Sequence, residues 1–344
     1  MKAFLPVVLG ALAVLSPVEQ LEVGEAYVNR GEAKKALPLL EKAVADPSLE
    51  QAQRARAEAA LGLALVQLEH PDKAAVHLEQ ALALDAKQEK TWLLLGMAYD
   101  QTSQVPKSVE AYKKGIAALP DSYRLRHELG MTLLDAGEVK EGVRFLDEAV
   151  QKSPQHPELL VDQAYGRLLL GRYQEAREAV QLALAIAPNH ADGYALLGDA
   201  EAALKNDKQA RAAYQRALEL NATHALALYH LALLEVRSGQ HASAAKLLTQ
   251  LVRVDPEHVR ARALLGVSLA TLGKDPQAKR LLLEAIAADP DFAQGYALLG
   301  DIAEREGKID EAIARYEKVR ALKKGDSAVE KRLLELRAQK GGAR

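Results

Sequence analysis

The sequence predicts an all-α protein: a solenoid of about nine helical hairpins, closed by one further helix. Three observations carry this. Ala and Leu dominate a chain that is 49% hydrophobic, 27% charged and 4% aromatic, and long runs of β-branched and aromatic residues are missing. The heptapeptide GYALLGD stands at 193–199 and again at 295–301, an offset of 102, three times 34. Small residues recur in register with that step through most of the 344 residues.

Residues 1–17 precede the repeat. Lys2 is followed by residues 4–15, twelve positions without a polar side chain. That is short of the roughly 20 residues a membrane-spanning helix needs. It fits the basic start and apolar core of a secretory signal peptide, with Ala11, Leu12 and Ala13 as a cleavage signal. The competing reading is a helix that covers the first hairpin.

The repeat occupies residues 18–324. Stepping by 34 from Gly62 reaches Gly96, Gly130, Ala164, Gly198, Ala232, Gly266 and Gly300, and Gly24 opens the series 38 residues before Gly62. Twelve residues beyond each lies a second small column: Ala36, Ala74, Ser108, Gly142, Ala176, Ala210, Ala244, Ala278 and Ala312. A third runs seven further on, from Ala43 and Ala81 to Leu251, Ala285 and Val319. Between these two stands a larger residue: Leu40, Leu78, Tyr112, Leu146, Val180, Tyr214, Leu248, Leu282 and Tyr316. Apolar positions at i, i+3, i+4 and i+7 make each half of a unit a helix, A then B. The turn between them often holds Gly (Gly31, Gly137, Gly171, Gly239, Gly273, Gly307), which accepts the left-handed backbone at a helix end. Small columns let paired helices approach to about 8–10 Å, with the larger residue filling the space between neighbours. Pro120, Pro154, Pro188, Pro256 and Pro290 end helix B. The four extra residues in the first step, near 46–53, read as a surface loop. Residues 325–344 read as an amphipathic capping helix (Val329, Leu333, Leu336) with a basic exterior.

A 34-residue hairpin with these columns resembles the tetratricopeptide repeat (TPR). The third unit carries the pattern nearly whole, in Trp92, Leu95, Gly96, Tyr99, Tyr112 and Pro120. Departures are Gln163 and Ala164 for Leu-Gly, Leu251 in the third small column, and Arg167, Glu201 and Glu235 where the pattern has Tyr. The resemblance implies a right-handed superhelix whose inner groove is lined by helix A, at the residues three before and one and four after the first small column. Those positions nominate Leu93, Met97, His127, Met131, Leu134, Val161, Tyr165, Leu168, Tyr229 and Leu233 as a peptide-binding groove, with Asp100, Asp135 and Glu158 on its rim. The Lys and Asn with which TPR co-chaperones clamp an acidic C-terminus are absent from this stripe, and Asn29, Asn189, Asn206 and Asn221 form no ladder like that of the sugar-transferase TPR arms.

Other chemistries find little support. Lys+Arg 45 against Asp+Glu 47 gives a net charge of −2, which draws the chain neither to nucleic acid nor to anionic lipid. Zero cysteines exclude disulfides, Cys-zinc sites and thiol nucleophiles. His156, His190, His224 and His258 recur every 34 residues, which puts successive rings about one repeat apart, too far to share a metal; they read as loop residues near helix starts. Residues 266–274 have the outline of a phosphate loop, but six residues separate the glycines and Asp275 stands where Ser or Thr should hold magnesium. No catalytic residues, metal or cofactor are therefore expected, and no small-molecule substrate. The expected function is a scaffold that binds an apolar peptide or helix of another protein, exported and serving envelope or secretion-complex assembly. The alternative is a cytoplasmic adaptor or chaperone that shields hydrophobic segments, with self-association through the same strip as the competing use.

Overall fold

A computed structural model describes residues 15–342. The segment read as a signal peptide lies outside the described residues, except for its last three. Nineteen α-helices and no strands occur among the described residues. They fall into two units, 1–186 and 187–344.

The first unit holds five hairpins: α1 (Pro17–Asn29) with α2 (Ala33–Ala45), α3 (Gln51–Gln67) with α4 (Pro71–Leu84), α5 (Glu89–Gln101) with α6 (Val105–Ala118), α7 (Tyr123–Asp135) with α8 (Val139–Lys152), and α9 (Pro157–Leu169) with α10 (Tyr173–Ile186). The second holds four: α11 (Ala191–Ala203) with α12 (Asp207–Leu220), α13 (Ala225–Arg237) with α14 (His241–Val254), α15 (Val259–Thr271) with α16 (Asp275–Ala288), and α17 (Ala293–Arg305) with α18 (Ile309–Leu322). The last helix, α19 (Ser327–Gly342), packs on α18 through Val329, Leu333 and Leu336, all nearly inaccessible. The capping helix is thus where the sequence places it.

The columns do a more specific job than spacing helices. The first small column and the larger residue sixteen positions on meet inside one hairpin. A methyl group on Gly96 would stand 2.2 Å from Cζ of Tyr112, and one on Gly198 would stand 2.4 Å from Cε1 of Tyr214. Helix A needs glycine there because a ring occupies the space a side chain would take. All three tyrosines of the larger column face glycine. Where the first small column holds alanine, the register partners are Val180 (for Ala164) and Leu248 (for Ala232), all fully buried. The larger residue therefore fills its own hairpin's interior as well as meeting the next one: the Tyr214 ring lies 6.0 Å from that of His230 on α13.

One sequence reading is corrected. Residues 46–53 form no extended loop: the connection is residues 46–50, and α3 runs 17 residues where the following A helices run 13. The run from Gln51 to Glu58 is rich in good helix formers and joins α3, while Leu49 is buried at 6% exposure. The glycines named in the A–B turns take the left-handed backbone expected of them. Gly31, Gly137, Gly171, Gly239, Gly273 and Gly307 adopt φ between 70° and 82°, and the same register holds Glu69, Ser103 and Lys205 at φ 60°, 57° and 65°.

Candidate functional site: the A-helix face

The ten nominated side chains do not form one continuous floor. In the first unit, Met97 on α5 and Tyr165 on α9 are each 41% exposed, while Leu93, Met131 and Leu168 are half-buried. Leu134 is not a groove residue. It is 5% exposed and packs with Val143 and Leu146, because Gly142 leaves it room: a methyl group at 142 would lie 2.8 Å from its Cδ2. Val161 is likewise removed at 8% exposure. It follows Leu159 and Leu160, also buried, so α9 is embedded around more of its circumference than a single stripe allows.

His127 interrupts the apolar strip with charge. Its Nε2 lies 2.7 Å from Oδ2 of Asp162 on α9, and its Nδ1 lies 3.2 Å from Glu128. Burial alone would depress the imidazole pKa, but hydrogen bonds to the two carboxylates outweigh it and lift it to about 9. Of the rim carboxylates, Asp100 accepts the Thr132 hydroxyl at 3.0 Å, and its burial holds the carboxyl above its usual range. Glu158 lies 2.9 Å from Nδ1 of His156, and Asp135 is exposed.

The second unit presents the same face differently. Leu233 is 39% exposed and borders a 520 Å³ cavity with Ala202, Leu234 and Val236. At one edge Asp199 accepts the Tyr214 hydroxyl at 2.7 Å and pairs with Nδ1 of His230. Burial and that carboxylate push the Tyr214 hydroxyl pKa up, which keeps it a neutral donor. Tyr229 stacks against His258 at a centroid separation of 5.0 Å and opens a second cavity of 420 Å³ with Val259, Leu264, Val267 and Phe292. Sequence reasoning reached this cavity from its A-helix stripe, through Tyr229 and Val267, but not its far wall. Val259 and Phe292 sit at the start of their helices, outside the stripe, and their exposed or half-exposed apolar side chains were the available signal.

The histidine column has a positive assignment. His190, His224 and His258 are N-caps of α11, α13 and α15. Their Nδ1 atoms accept the N–H of Gly193, Ala227 and Ala261 at 3.0, 3.3 and 3.1 Å. His156 holds the same place before α9 without a side-chain cap bond. No group of three His, Asp or Glu is arranged to hold a metal among the described residues. Gly266 lies inside α15 and Gly273 in the following turn, so residues 266–274 are no phosphate loop.

Stacked helical hairpins with in-register small columns define a helical-repeat scaffold, a non-catalytic type of fold. The chain belongs to the tetratricopeptide repeat family. Three profiles described as "Tetratricopeptide repeat" match it, one at 133–200 and 235–302, one at 59–123 and 93–157, and one at 191–224 and 293–324. Among solved structures it is similar to the C-terminal part of a TPR repeat-containing protein from Cytophaga hutchinsonii, with TM-score 0.56 and 14% identity over 71% of this chain and 99% of that one. The Cut9–Hcn1 hetero-tetramer of the APC/C gives TM-score 0.56 and 13% identity over 95% of this chain and 66% of that one. A tetratricopeptide repeat protein from Parabacteroides merdae gives 0.50 and 18% over 72% and 98%. At these identities the likeness is one of fold. No curated protein matches the chain. TPR proteins in general act as protein-interaction scaffolds.

Proposed function

We propose that this protein holds an apolar peptide or helix segment of a partner protein against its A-helix face. The observation that carries the reading is the exposure of Met97, Tyr165 and Leu233, large apolar side chains on the A-helix stripe, at 39–41%. What gives this exposure weight is contiguity within the first unit, where half-buried Leu93, Met131 and Leu168 on neighbouring A helices join Met97 and Tyr165 into a strip of the kind that marks a partner site. Met97 suits a tolerant site, because its unbranched side chain repacks around different ligands. Leu93, Met131 and Leu168 make the sides of the first-unit strip, and Tyr229 and Leu233 the centre of the second. Neither nucleic acid nor a small-molecule substrate enters this reading. Export, in the service of envelope or secretion-complex assembly, is part of the proposal and rests on Lys2 and the apolar residues 4–15.

A photo-crosslinking residue placed at Tyr165 or Leu233 in the native host tests the face. Crosslinks to an apolar segment of another protein are expected; those from Tyr165 should be lost in Met97→Glu/Leu168→Glu, and those from Leu233 in Tyr229→Glu, with helicity unchanged. Crosslinks only to a second copy of the chain would replace partner binding by self-association. Intact mass of the same material tests export: a chain shortened at its start is expected, and a full-length one returns the protein to the cytoplasmic adaptor reading.

A further inference from the structure

The B-helix face of the second unit carries a second surface of different chemistry. Between α14 and α16, over α15, lies an open groove of 820 Å³. Leu269 and Leu281 close its floor, and Leu272, 39% exposed, stands at one end. Its charged lining is wholly basic: Lys246 and Arg253 on α14, Lys274 at the start of α16, and Arg280 on α16. Lys246, Arg253 and Lys274 make no ion pair among the described residues, and Arg280 has only Glu284 at 3.8 Å.

The repeat supplies an internal control. Five repeats earlier, the register-equivalent groove between α4 and α6 measures 530 Å³ and carries Glu79 and Glu110 where this one has Thr249 and Arg280. There the charges are balanced, with Lys114 pairing Glu110 at 2.8 Å and Glu79 accepting the Tyr99 hydroxyl. The architecture therefore does not require basic walls; these positions are free to vary, and here they vary in one direction. α14 is the only B helix among the described residues without a carboxylate, and α15 has none either. Residues 241–274 hold five Lys and Arg against two carboxylates, in a chain whose net charge is −2. Helix-dipole stabilisation accounts for Arg253 in the last turn of α14, but not for Lys246 in its middle.

We propose that this groove binds an acidic amphipathic helix of a partner protein, laid between α14 and α16. Cations on both walls with leucines between them match a segment with an apolar stripe and carboxylates on its two flanks. Lys246 and Arg253 are seven residues apart, two turns on one face, about 10.5 Å, the repeat at which a helix presents successive side chains to one side. A second copy of this chain is a poor occupant: α19, its terminal helix, is itself basic. The surface is independent of the A-face site, and the two can fail separately.

The test uses the full chain and a dye-labelled synthetic peptide of about 18 residues, with leucines on one helical face and glutamates beside them. Two controls accompany it, a scrambled peptide of the same composition and one with Lys for every Glu. Anisotropy should show binding of the acidic amphipathic peptide alone. Its affinity should fall at least tenfold in Lys246→Glu/Arg280→Glu and severalfold in Lys246→Gln/Arg280→Gln, the latter guarding against misfolding of the former. Raising the salt from about 0.05 to 0.5 M should weaken it about tenfold. Met97→Glu/Tyr165→Glu should leave it unchanged. Equal binding of the scrambled peptide, indifference to both double variants, or no binding overturns the proposal. So does flotation with vesicles containing phosphatidylglycerol, but not pure phosphatidylcholine, when the peptide fails to bind; that result would assign the surface to anionic lipid.

Discussion

Gly96→Ala is the sharpest probe of how the hairpins close. At an unobstructed interior helix position, replacing Gly by Ala gains about 1 kcal/mol of helix propensity. Here the new methyl group would stand 2.2, 2.3 and 2.7 Å from three ring carbons of Tyr112, a fully buried side chain. Carbon–carbon contact is comfortable near 3.5–4.0 Å, so the ring has to move by roughly 1 Å or more, and overpacking of this kind costs about 1–3 kcal/mol. The clash should outweigh the propensity, for a net loss of about 1 kcal/mol. Tyr112→Leu alone should cost about 2 kcal/mol by leaving a void. The double variant reproduces the native Ala232/Leu248 pairing, and should be less destabilised than the sum of the single variants by at least 1 kcal/mol. The assay is urea unfolding followed by the emission of Trp92, the chain's single tryptophan, which sits on α5 in the same hairpin. A gain in stability for Gly96→Ala, or additivity within about 0.5 kcal/mol, would refute the account of the columns.

Three further expectations follow from single contacts. Glu69→Gly, Ser103→Gly and Lys205→Gly each relieve a left-handed backbone and should stabilise by about 0.5–1 kcal/mol after the entropy cost of glycine, read by local hydrogen exchange. His127 has a folded pKa raised to about 9 against 6.5 unfolded, so its bond to Asp162 contributes in full below pH 6.5 and is lost as pH rises through 9. An NMR titration should place the His127 midpoint well above 7 and find it moved toward 6.5 in Asp162→Asn; an unmoved midpoint would reject the pairing. His190→Ala should cost α11 about 1 kcal/mol, and His190→Asn almost nothing, because asparagine also caps.

The fold was legible because its information is redundant. Nine copies state the same small and large positions, and each column position sits in a packed interior where volume admits few substitutes. The insertion was legible in length but not in place. Four extra residues near 46–53 fix a change of register, and local helix propensity at 51–58 decided that they lengthen α3. The A-face stripe was half legible. Spacing identifies which side chains leave helix A in one direction, but exposure depends on the neighbours' size. Gly142 lets Leu134 sink, and no feature of Leu134 itself announces that. The basic groove on the B face went unread because its residues lie on three elements, and because balanced overall charge hides a local excess.

The departures at Arg167 and Glu235 show how an array tolerates what one repeat's pattern forbids. Within the first unit, Arg167 reaches Asp147 on α8 at 3.0 Å, joined there by Gln163 at 2.6 Å. Within the second, Glu235 is 4% exposed and pairs with Arg211 on α12. Glu235 gives up its hydration to make this pair, and such a buried charge seldom exceeds a packed apolar side chain in stability. The register-equivalent residue of the next repeat, Leu269, is apolar and 7% exposed, so the position accepts leucine. Arg211→Met/Glu235→Leu should therefore hold or raise stability, by about 1 kcal/mol, since Arg211 keeps part of its hydration. Glu235→Leu alone should do less, since the Arg211 guanidinium, 32% exposed, has to turn out to water. Stability in such arrays sums repeat by repeat, so hydrogen exchange should change along α12 and α13 and leave α17 and α18 as they were. A double variant less stable than the wild type by more than about 1 kcal/mol would mean that the pair specifies how α12 and α13 dock.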